Sequence, residues 1–275
     1  MFVTGTGTQA DPYICGNWDE LISVSTTASN YIKMADSDSR TIDFNSIYPD
    51  GLNSNIILYG NIDFNGWTLT NLYIPSNQYK ITFGGTQTAN NCFIKNLNFT
   101  NFLKRGSGEI FYVISSSPSN FKQFYNCVFS GEFDNGVSND SAYLCKCPMY
   151  NCSVNVVSNS TGYIYLTTIK GENCWFNVAG KMNRLYIGAT DNCLISGSIT
   201  TSDTISLSIN NGSVRYSVFD INANGTLYTA NGTTSIYNSE KISLRSEYSY
   251  MIGVTSEQMI NAEYLQSIGF PIGVD

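Results

Sequence analysis

The stretch Asn151-Cys152-Ser153-Val154 is followed 22 residues later by Asn173-Cys174-Trp175-Phe176, and this recurrence decides the fold. An Asn-Cys pair with an apolar residue two positions after the cysteine occurs five times, at Asn91-Cys92, Asn126-Cys127, Asn151-Cys152, Asn173-Cys174 and Asn192-Cys193. The apolar residues are Ile94, Phe129, Val154, Phe176 and Ile195. Self-similarity at so short a period is typical of solenoid proteins. We predict that the register continues with Val214 and Ile236 in the place of cysteine.

Short runs of β-branched and aromatic residues surround each Asn-Cys pair. Tyr163-Ile164-Tyr165-Leu166 precedes such a pair and Trp175-Phe176-Asn177-Val178 follows one, a pattern that indicates strand, turn and strand. A unit this short cannot bury its own apolar face and has to stack on copies of itself. The sequence therefore predicts an all-β fold, a right-handed parallel β-helix (solenoid). A β-propeller would need repeats of about 40 residues. A β-sandwich would not produce cysteines whose spacing decreases along the chain, as it does in the five Asn-Cys pairs.

The Asn-Cys pairs themselves are interpreted as structural. A small apolar thiol suits an inward position at a tight bend, and the asparagine amide can bond to the amide of the next turn. We therefore expect a ladder of Asn91, Cys92, Asn126, Cys127, Asn151, Cys152, Asn173, Cys174, Asn192 and Cys193, with the thiols buried and reduced. The alternative, a redox or metal-binding array, finds no CxxC spacing in its favour. No metal and no cofactor are predicted.

Both ends of the chain carry helix signals. Asn17 can cap a helix that begins at Trp18. Thr255 and Gln258 have capping-box spacing, and Met259, Ala262, Tyr264, Leu265 and Ile268 are compatible with an amphipathic helix that Gly269 ends. We expect an opening and capping segment over residues 1–60, β-helix repeats over 61–250 and a C-terminal helical cap over 251–275.

The amino-acid composition excludes several classes of function. Charged residues are 13% of the 275-residue chain, against about 25% in ordinary soluble domains. Histidine is absent, which excludes imidazole-based nucleophile systems and metal sites. A net charge of −7 with 14 scattered Lys and Arg residues argues against nucleic acid and anionic membranes as partners. No apolar run approaches the roughly 20 residues that span a bilayer, and Met1-Phe2-Val3-Thr4-Gly5 lacks the pattern of a signal peptide.

Three segments carry a resemblance to known proteins. The opening Gly5-Thr6-Gly7-Thr8-Gln9-Ala10-Asp11-Pro12-Tyr13-Ile14, followed by Trp18-Asp19-Glu20-Leu21, resembles the segment that opens many β-helical surface and adhesin-like proteins of bacteria and their phages. The tail Gly269-Phe270-Pro271-Ile272-Gly273 is similar to segments that close such modules. The repeats between them resemble the right-handed parallel β-helix family, which includes phage tailspikes, head and tail appendages, and polysaccharide lyases. The resemblance implies the fold more firmly than the function.

Catalytic candidates are few. Glycoside hydrolysis needs two carboxyl groups about 5 to 9.5 Å apart, and the acids in or near the repeats are Asp134, Asp140, Glu172, Asp191, Asp203 and Asp220. Glu172 and Asp191 precede successive Asn-Cys pairs, so they are expected on adjacent turns, although an acid just before a bend is ordinarily a solvated or turn-forming residue. A β-elimination lyase needs a cationic base, for which Lys181 and Arg184 are the candidates. The sequence lacks the clustered aspartates that would hold calcium beside them.

The predicted function is that of a non-enzymatic phage virion structural protein, a capsid decoration or head fibre or a tail appendage. Its 19 tyrosines and many asparagines offer flat, amphipathic groups for contact with host-surface glycans or other virion proteins. It would be assembled in the host cytoplasm and located in the virion, and it could form a homo-trimer. The alternatives are a polysaccharide depolymerase and a bacterial adhesin on the extracellular surface.

Overall fold

The structure is a computed structural model of the whole chain. It describes residues 3–75, 80–84, 93–114, 123–134, 140–200, 206–209, 213–223, 226–228, 231–244 and 250–271. These residues form 28 strands and four short helices, and the strands are arranged in two large parallel sheets, here called sheet A and sheet B. No helix among the described residues is both long enough and apolar enough to cross a bilayer.

Sheet A contains two rows of strands. The first row is β4 (Ile56–Tyr59), β8 (Ile81–Gly84), β11 (Gly108–Ile114), β14 (Ser141–Cys145), β17 (Tyr163–Glu172), β19 (Arg184–Asp191), β21 (Ser206–Ile209), β24 (Thr226–Tyr228) and β27 (Ser243–Leu244). The second row is β1 (Tyr13–Cys15), β2 (Tyr31–Met34), β5 (Asn61–Asp63), β9 (Phe93–Lys95), β12 (Gln123–Tyr125), β15 (Met149–Tyr150), β22 (Ser213–Arg215) and β25 (Asn231–Gly232). Strands β17 and β19 are long enough to serve both rows.

Sheet B has one strand for most turns of the chain. Its strands are β3 (Thr41–Asp43), β6 (Thr68–Thr70), β7 (Tyr73–Ile74), β10 (Asn98–Arg105), β13 (Val128–Asp134), β16 (Ser153–Asn159), β18 (Trp175–Lys181), β20 (Leu194–Thr200), β23 (Val218–Ala223), β26 (Ser235–Asn238) and β28 (Met251–Val254). The chain passes through the first row, the second row and sheet B, and then begins the next coil beside the last. This path is a parallel β-helix, which confirms the predicted all-β fold.

The core lies between the two sheets and is built by side chains that face inward from both. Phe129, Val154, Phe176 and Ile195 are register neighbours on successive coils and are fully buried. They are the residues that the sequence places two positions after the cysteines. Phe111 of sheet A meets this row, with its ring centroid 5.7 Å from that of Phe129. Burial of each such side chain contributes about 1.5–3 kcal/mol relative to exposure.

Asparagines form the corner between the second row of sheet A and sheet B. Asn126, Asn151, Asn173 and Asn192 have φ between 51° and 52°, in the left-handed region that asparagine tolerates better than most residues. Each amide Nδ2 donates to the Oδ1 of the asparagine one coil earlier: 3.3 Å from Asn151 to Asn126, 3.2 Å from Asn173 to Asn151 and 2.8 Å from Asn192 to Asn173. The ladder satisfies amide groups at the bend.

The cysteines follow the asparagines on the inside of this corner. Cys127, Cys152, Cys174 and Cys193 are buried and unbridged. The thiols of Cys127, Cys152 and Cys174 contact backbone carbonyl oxygens of the preceding coil, as Cys174 Sγ does with the oxygen of Met149 at 3.5 Å.

Two parts of the predicted register need correction. Asn91 and Cys92 lie outside the described residues, and the pairing of Lys95 with Tyr125 places Asn96, with φ 56°, next to Asn126 at the corner. Leu97 therefore holds the cysteine position there. The register also does not continue with Val214 and Ile236, because these residues pair with Thr190 and Val218 instead.

Serine replaces cysteine in the later coils. The pairing of Asp191 with Arg215 places Tyr216 beside Asn192 and Ser217 beside Cys193. Ser217 and Ser235 are fully buried, and their hydroxyl groups accept from the backbone N–H groups of Cys193 and Ser217 respectively, both at 3.2 Å. The prediction of an apolar residue in place of cysteine was wrong, because serine matches cysteine in size but is polar.

A helix covers the N-terminal end of the core. Helix α1 (Trp18–Val24) is capped by Asn17, whose side chain accepts from the Glu20 N–H, as the sequence predicts. Trp18 and Leu21 are buried, and the Trp18 ring packs edge-on against Phe44, which begins helix α2 (Phe44–Ile47). Strands β1 to β4 precede residue 60 and already pair within the sheets, while the predicted boundary at that residue stays a prediction.

The C-terminal helical segment differs from the single helix expected. Thr255 and Gln258 form the predicted capping box, but the segment divides into α3 (Ser256–Met259) and α4 (Ala262–Ser267), with Asn261 capping the second helix. Neither helix has a buried residue, and Ile260 between them is 86% exposed. The break arises because the Asn261 side chain accepts the Tyr264 N–H, an N-cap bond that competes with continuation of the helix.

Candidate functional site

The acidic pair singled out in the sequence lies on adjacent coils. Glu172 and Asp191 are register partners in the second row of sheet A, and Lys170 lies beside both. Its Nζ is 2.5 Å from Glu172 Oε2 and 4.0 Å from Asp191 Oδ2. The hydrogen bond with Glu172 raises the pKa of Lys170, against the smaller opposing effect of its burial. The two carboxylates therefore share one ammonium group as their partner. The arrangement is that of an ion-pair network.

Three of the remaining candidates are also engaged in contacts. Asp134 pairs with Arg105 at 3.0 Å, and Asp220 pairs with Lys241 at 2.8 Å. Arg184 Nη1 donates to the Tyr186 hydroxyl at 3.1 Å, while Lys181 is exposed. Asp140 ends no strand and is half-buried, and Asp203 lies outside the described residues. Within the described part of the chain, no three metal-ligating side chains come together.

Two of the buried thiols, those of Cys147 and Cys152, are poorly placed for chemistry. Burial raises the pKa of Cys147 and Cys152 well above the ordinary value, so both are neutral thiols near pH 7. Since the thiolate is the reactive form, these cysteines belong to the packed core.

Tyrosines on the outer face of sheet A stack on one another. Tyr143, Tyr165 and Tyr186 are register neighbours on three coils, with ring centroids 4.3 and 4.2 Å apart. The Lys146 ammonium lies over the Tyr143 ring at 4.3 Å. Burial between its neighbours raises the pKa of Tyr165 to about 12. Both faces of the Tyr165 ring are covered by its neighbours, and the Tyr143 ring lies between Tyr165 and Lys146, so these two rings cannot offer their faces to a ligand.

An open aromatic ring is found instead on the outer face of sheet B. Trp175 is 45% exposed, and its row also contains Val128, Ser153, Leu194 and Val218 on successive coils. Side chains alternate across a strand, so the buried Phe176 directs Trp175 outward. We call the outward residues of β13, β16, β18 and β20 the Trp175 face.

A polar row runs beside the Trp175 row. It consists of Ser130, Asn155, Asn177 and Ser196, again register neighbours on successive coils. Asn177 Nδ2 donates to Asn155 Oδ1 at 2.8 Å, and the Ser196 hydroxyl donates to Asn177 Oδ1 at 3.3 Å. The Trp175 indole N–H donates to Ser196 Oγ at 2.8 Å. These bonds hold the ring and the amides in fixed positions.

A shallow depression of about 540 Å³ continues this surface at one side. Gly131 and Val157 are among the residues that line it, and the Glu132 carboxylate accepts from Asn159 Nδ2 at 2.5 Å at its margin. Trp175 was predicted to lie in a strand but not to be a surface residue. Strict alternation with the buried Phe176 and Val178 was the available signal.

The fold and this surface define a parallel β-helix with a preorganised, mostly uncharged outer face. No protein-family model matches the chain, and no curated protein matches it. Among solved structures it is similar to that of a "putative immunoglobulin A1 protease from Bacteroides ovatus", with 15% identity over 96% of this chain and 89% of the other, at a TM-score of 0.47. A likeness at this level carries no argument about function.

Proposed function

We propose that this protein is a non-catalytic structural component of a phage virion, a head or tail appendage that contacts host-surface glycans. The proposal rests on one observation: outward side chains on neighbouring coils hold one another in fixed positions. The asparagine ladder, the tyrosine ladder and the bonded row of the Trp175 face each join residues on at least three coils. A surface whose side chains are already ordered loses little entropy when it binds.

Rigidity also suits an appendage. Backbone pairing joins each coil to the next from β10 to β23, and such pairing suits a part that has to keep its shape under load. In this proposal the partners are other virion proteins, assembly takes place in the host cytoplasm, and the assembled form is a trimer. The resemblance of the opening and closing segments to phage and bacterial surface proteins supports the same conclusion.

A polysaccharide depolymerase is the second candidate, because Glu172 and Asp191 are direct neighbours on adjacent coils. The two functions are separated by incubating the purified chain with host polysaccharide and measuring new reducing ends. We expect none. Release of reducing ends by the wild type, together with its loss in Glu172→Gln or Asp191→Asn without unfolding, would establish the depolymerase instead.

The structural role is tested on particles. Gradient-purified phage from the source culture should contain the chain in an amount comparable to known capsid or tail proteins, measured by quantitative mass spectrometry. An abundant soluble host protein is the control for carry-over. Recovery of the chain only in the fractions without particles would contradict a virion location.

A further inference from the structure

We propose that the Trp175 face is a binding site for a neutral saccharide. The inference rests on the proposed function, since it identifies the surface that makes the glycan contact and the chemical class of the glycan. The site consists of the Trp175 ring, the amides of Asn155 and Asn177, and the hydroxyl of Ser196. It lies on sheet B, on a different sheet from the tyrosine ladder and from the ion-pair network of Lys170.

The Trp175 ring is available for stacking. Its register neighbours in the row are Ser153 and Leu194, and among the described residues no aromatic ring packs on it. The bond from its N–H to Ser196 fixes the ring orientation. An aromatic face held in one orientation suits the apolar C–H face of a pyranose, because the ring presents a large amphipathic area at low entropic cost.

The polar row supplies the complementary groups. An asparagine amide has two donor hydrogens and two acceptor lone pairs, and Asn155 uses only its oxygen in the bond with Asn177. Within the described residues, the Asn155 Nδ2 group therefore remains available to a ligand. Amides and hydroxyls placed beside an aromatic ring can bond sugar hydroxyl groups while the ring covers the apolar face.

The charge pattern selects a neutral ligand. The nine outward positions at the centre of the face carry no ionisable side chain; they are Ser153, Asn155, Val157, Trp175, Asn177, Ala179, Leu194, Ser196 and Ser198. Charged residues lie at its margins, as Glu132, Asp134 and Lys181. Asp220, the register partner of Ser196 on the next coil, is paired with Lys241. An acidic polysaccharide requires clustered cations, which this centre lacks. A protein partner would have to desolvate the amide row, which costs free energy unless every group is paired.

Trp175 also provides its own reporter. The chain has three tryptophans, of which Trp18 and Trp67 are 5% and 3% exposed while Trp175 is 45% exposed. Acrylamide quenching of the full-length protein therefore reads Trp175. Dextran, mannan and laminarin serve as neutral probes, and hyaluronan serves as the acidic one. We expect a neutral probe to protect Trp175 from quenching and to bind in equilibrium dialysis, and hyaluronan to do neither.

Variants locate the site. Trp175→Ala should weaken binding of the neutral probe that protects Trp175 by about tenfold or more, the scale of an aromatic anchor. Asn177→Ala should weaken this binding less. Ile57→Ala is the matched control, because Ile57 is 46% exposed on β4 of the other sheet. It should bind as the wild type does, and thermal melts should show all three variants folded.

Several results would overturn the proposal. They are protection by none of the neutral probes, protection by hyaluronan alone, and unchanged binding by Trp175→Ala. Protection that grows with protein concentration in the absence of glycan would identify the face as a contact between copies of the chain. The virion role has a separate readout: Trp175→Ala that still enters particles but no longer binds glycan supports both proposals, whereas glycan binding by a chain absent from particles contradicts only the virion role.

Discussion

Asn173 donates a hydrogen bond from its side-chain amide to that of Asn151, 3.2 Å away, although 22 residues separate the two along the chain. Both residues have a φ of 52°. One residue type therefore meets two requirements at this corner, a left-handed backbone and a side chain that bonds the next coil. The two contributions can be separated by mutation.

Asn173→Ala should lower the free energy of unfolding by about 1–3 kcal/mol, because alanine loses the amide bonds and is strained at positive φ. Asn173→Gly should cost less, since glycine adopts this φ without strain. Urea denaturation measures both, with Asn222→Ala, an exposed residue on β23, as the control. Equal losses for Ala and Gly would show that backbone strain contributes nothing at this corner.

Tyr216 breaks the asparagine ladder. It follows the register of Asn192 but has a φ of 44°, an unfavourable value for a bulky residue. Tyr216→Asn should raise stability by about 1 kcal/mol, through relief of strain and a new amide bond to Asn192. Tyr216→Phe keeps the strain and should leave the thermal midpoint near that of the wild type. A lower midpoint for Tyr216→Asn would refute this account of the corner.

Two buried threonines of sheet A provide a matched pair. Among the described residues, Thr190 Oγ1 is a buried side-chain atom without a hydrogen-bond partner, whereas Thr167 Oγ1 donates to the Cys147 carbonyl oxygen at 2.7 Å. Thr190→Val should be neutral or stabilising, while Thr167→Val should cost about 1–3 kcal/mol by leaving polar groups unpaired. Calorimetry of the two variants compares the midpoints directly. A lower midpoint for Thr190→Val than for Thr167→Val would mean that the hydroxyl of Thr190 has a hydrogen-bond partner.

Cys15 should make the fold less stable at alkaline pH. Burial raises the pKa of Cys15 from 9.0 to about 12, and the charge of Glu20 makes a smaller contribution in the same direction. The unfolded chain releases this proton above pH 9 and the folded chain retains it, so the contribution of Cys15 to stability falls between pH 9 and 12. The slope is up to about 1.4 kcal/mol per pH unit for one group.

Cys15→Ala isolates this contribution. Lys104, whose pKa burial lowers to about 8, acts in the opposite direction, but it is common to both proteins. Denaturation at a series of pH values should therefore show a shallower alkaline decline for Cys15→Ala than for the wild type. Parallel curves would contradict a raised Cys15 pKa.

The thiols of the corner should be reduced and protected. Alkylation of the native protein should leave Cys127, Cys152, Cys174 and Cys193 unlabelled, because all four are at most 3% exposed. Alkylation in denaturant without reductant should label all of them, and peptide mass spectrometry distinguishes the two states. Disulfide-linked peptides among them would contradict the packed-thiol ladder.

The sequence by itself determined the repeating unit. Alternation with a period of two assigns the inward side of each strand, which is why Phe129, Val154, Phe176 and Ile195 could be predicted as core residues. The Asn-Cys pairs mark a bend because few residue types accept its backbone conformation. The capping signals of Asn17 and Thr255 act over three residues and are readable for the same reason. All of these are local requirements.

Only the tertiary structure decided which residues become neighbours between coils. Coil length varies from one turn to the next, so an inserted residue shifts the lateral register without changing the local pattern. For this reason the cysteine position passes to Ser217 rather than to Val214. The stacking of Tyr165 on Tyr186, the contact of Lys170 with both acids, and the bond from Trp175 to Ser196 depend on the same register. Local sequence fixes what each strand buries, whereas stacking fixes what the surface presents.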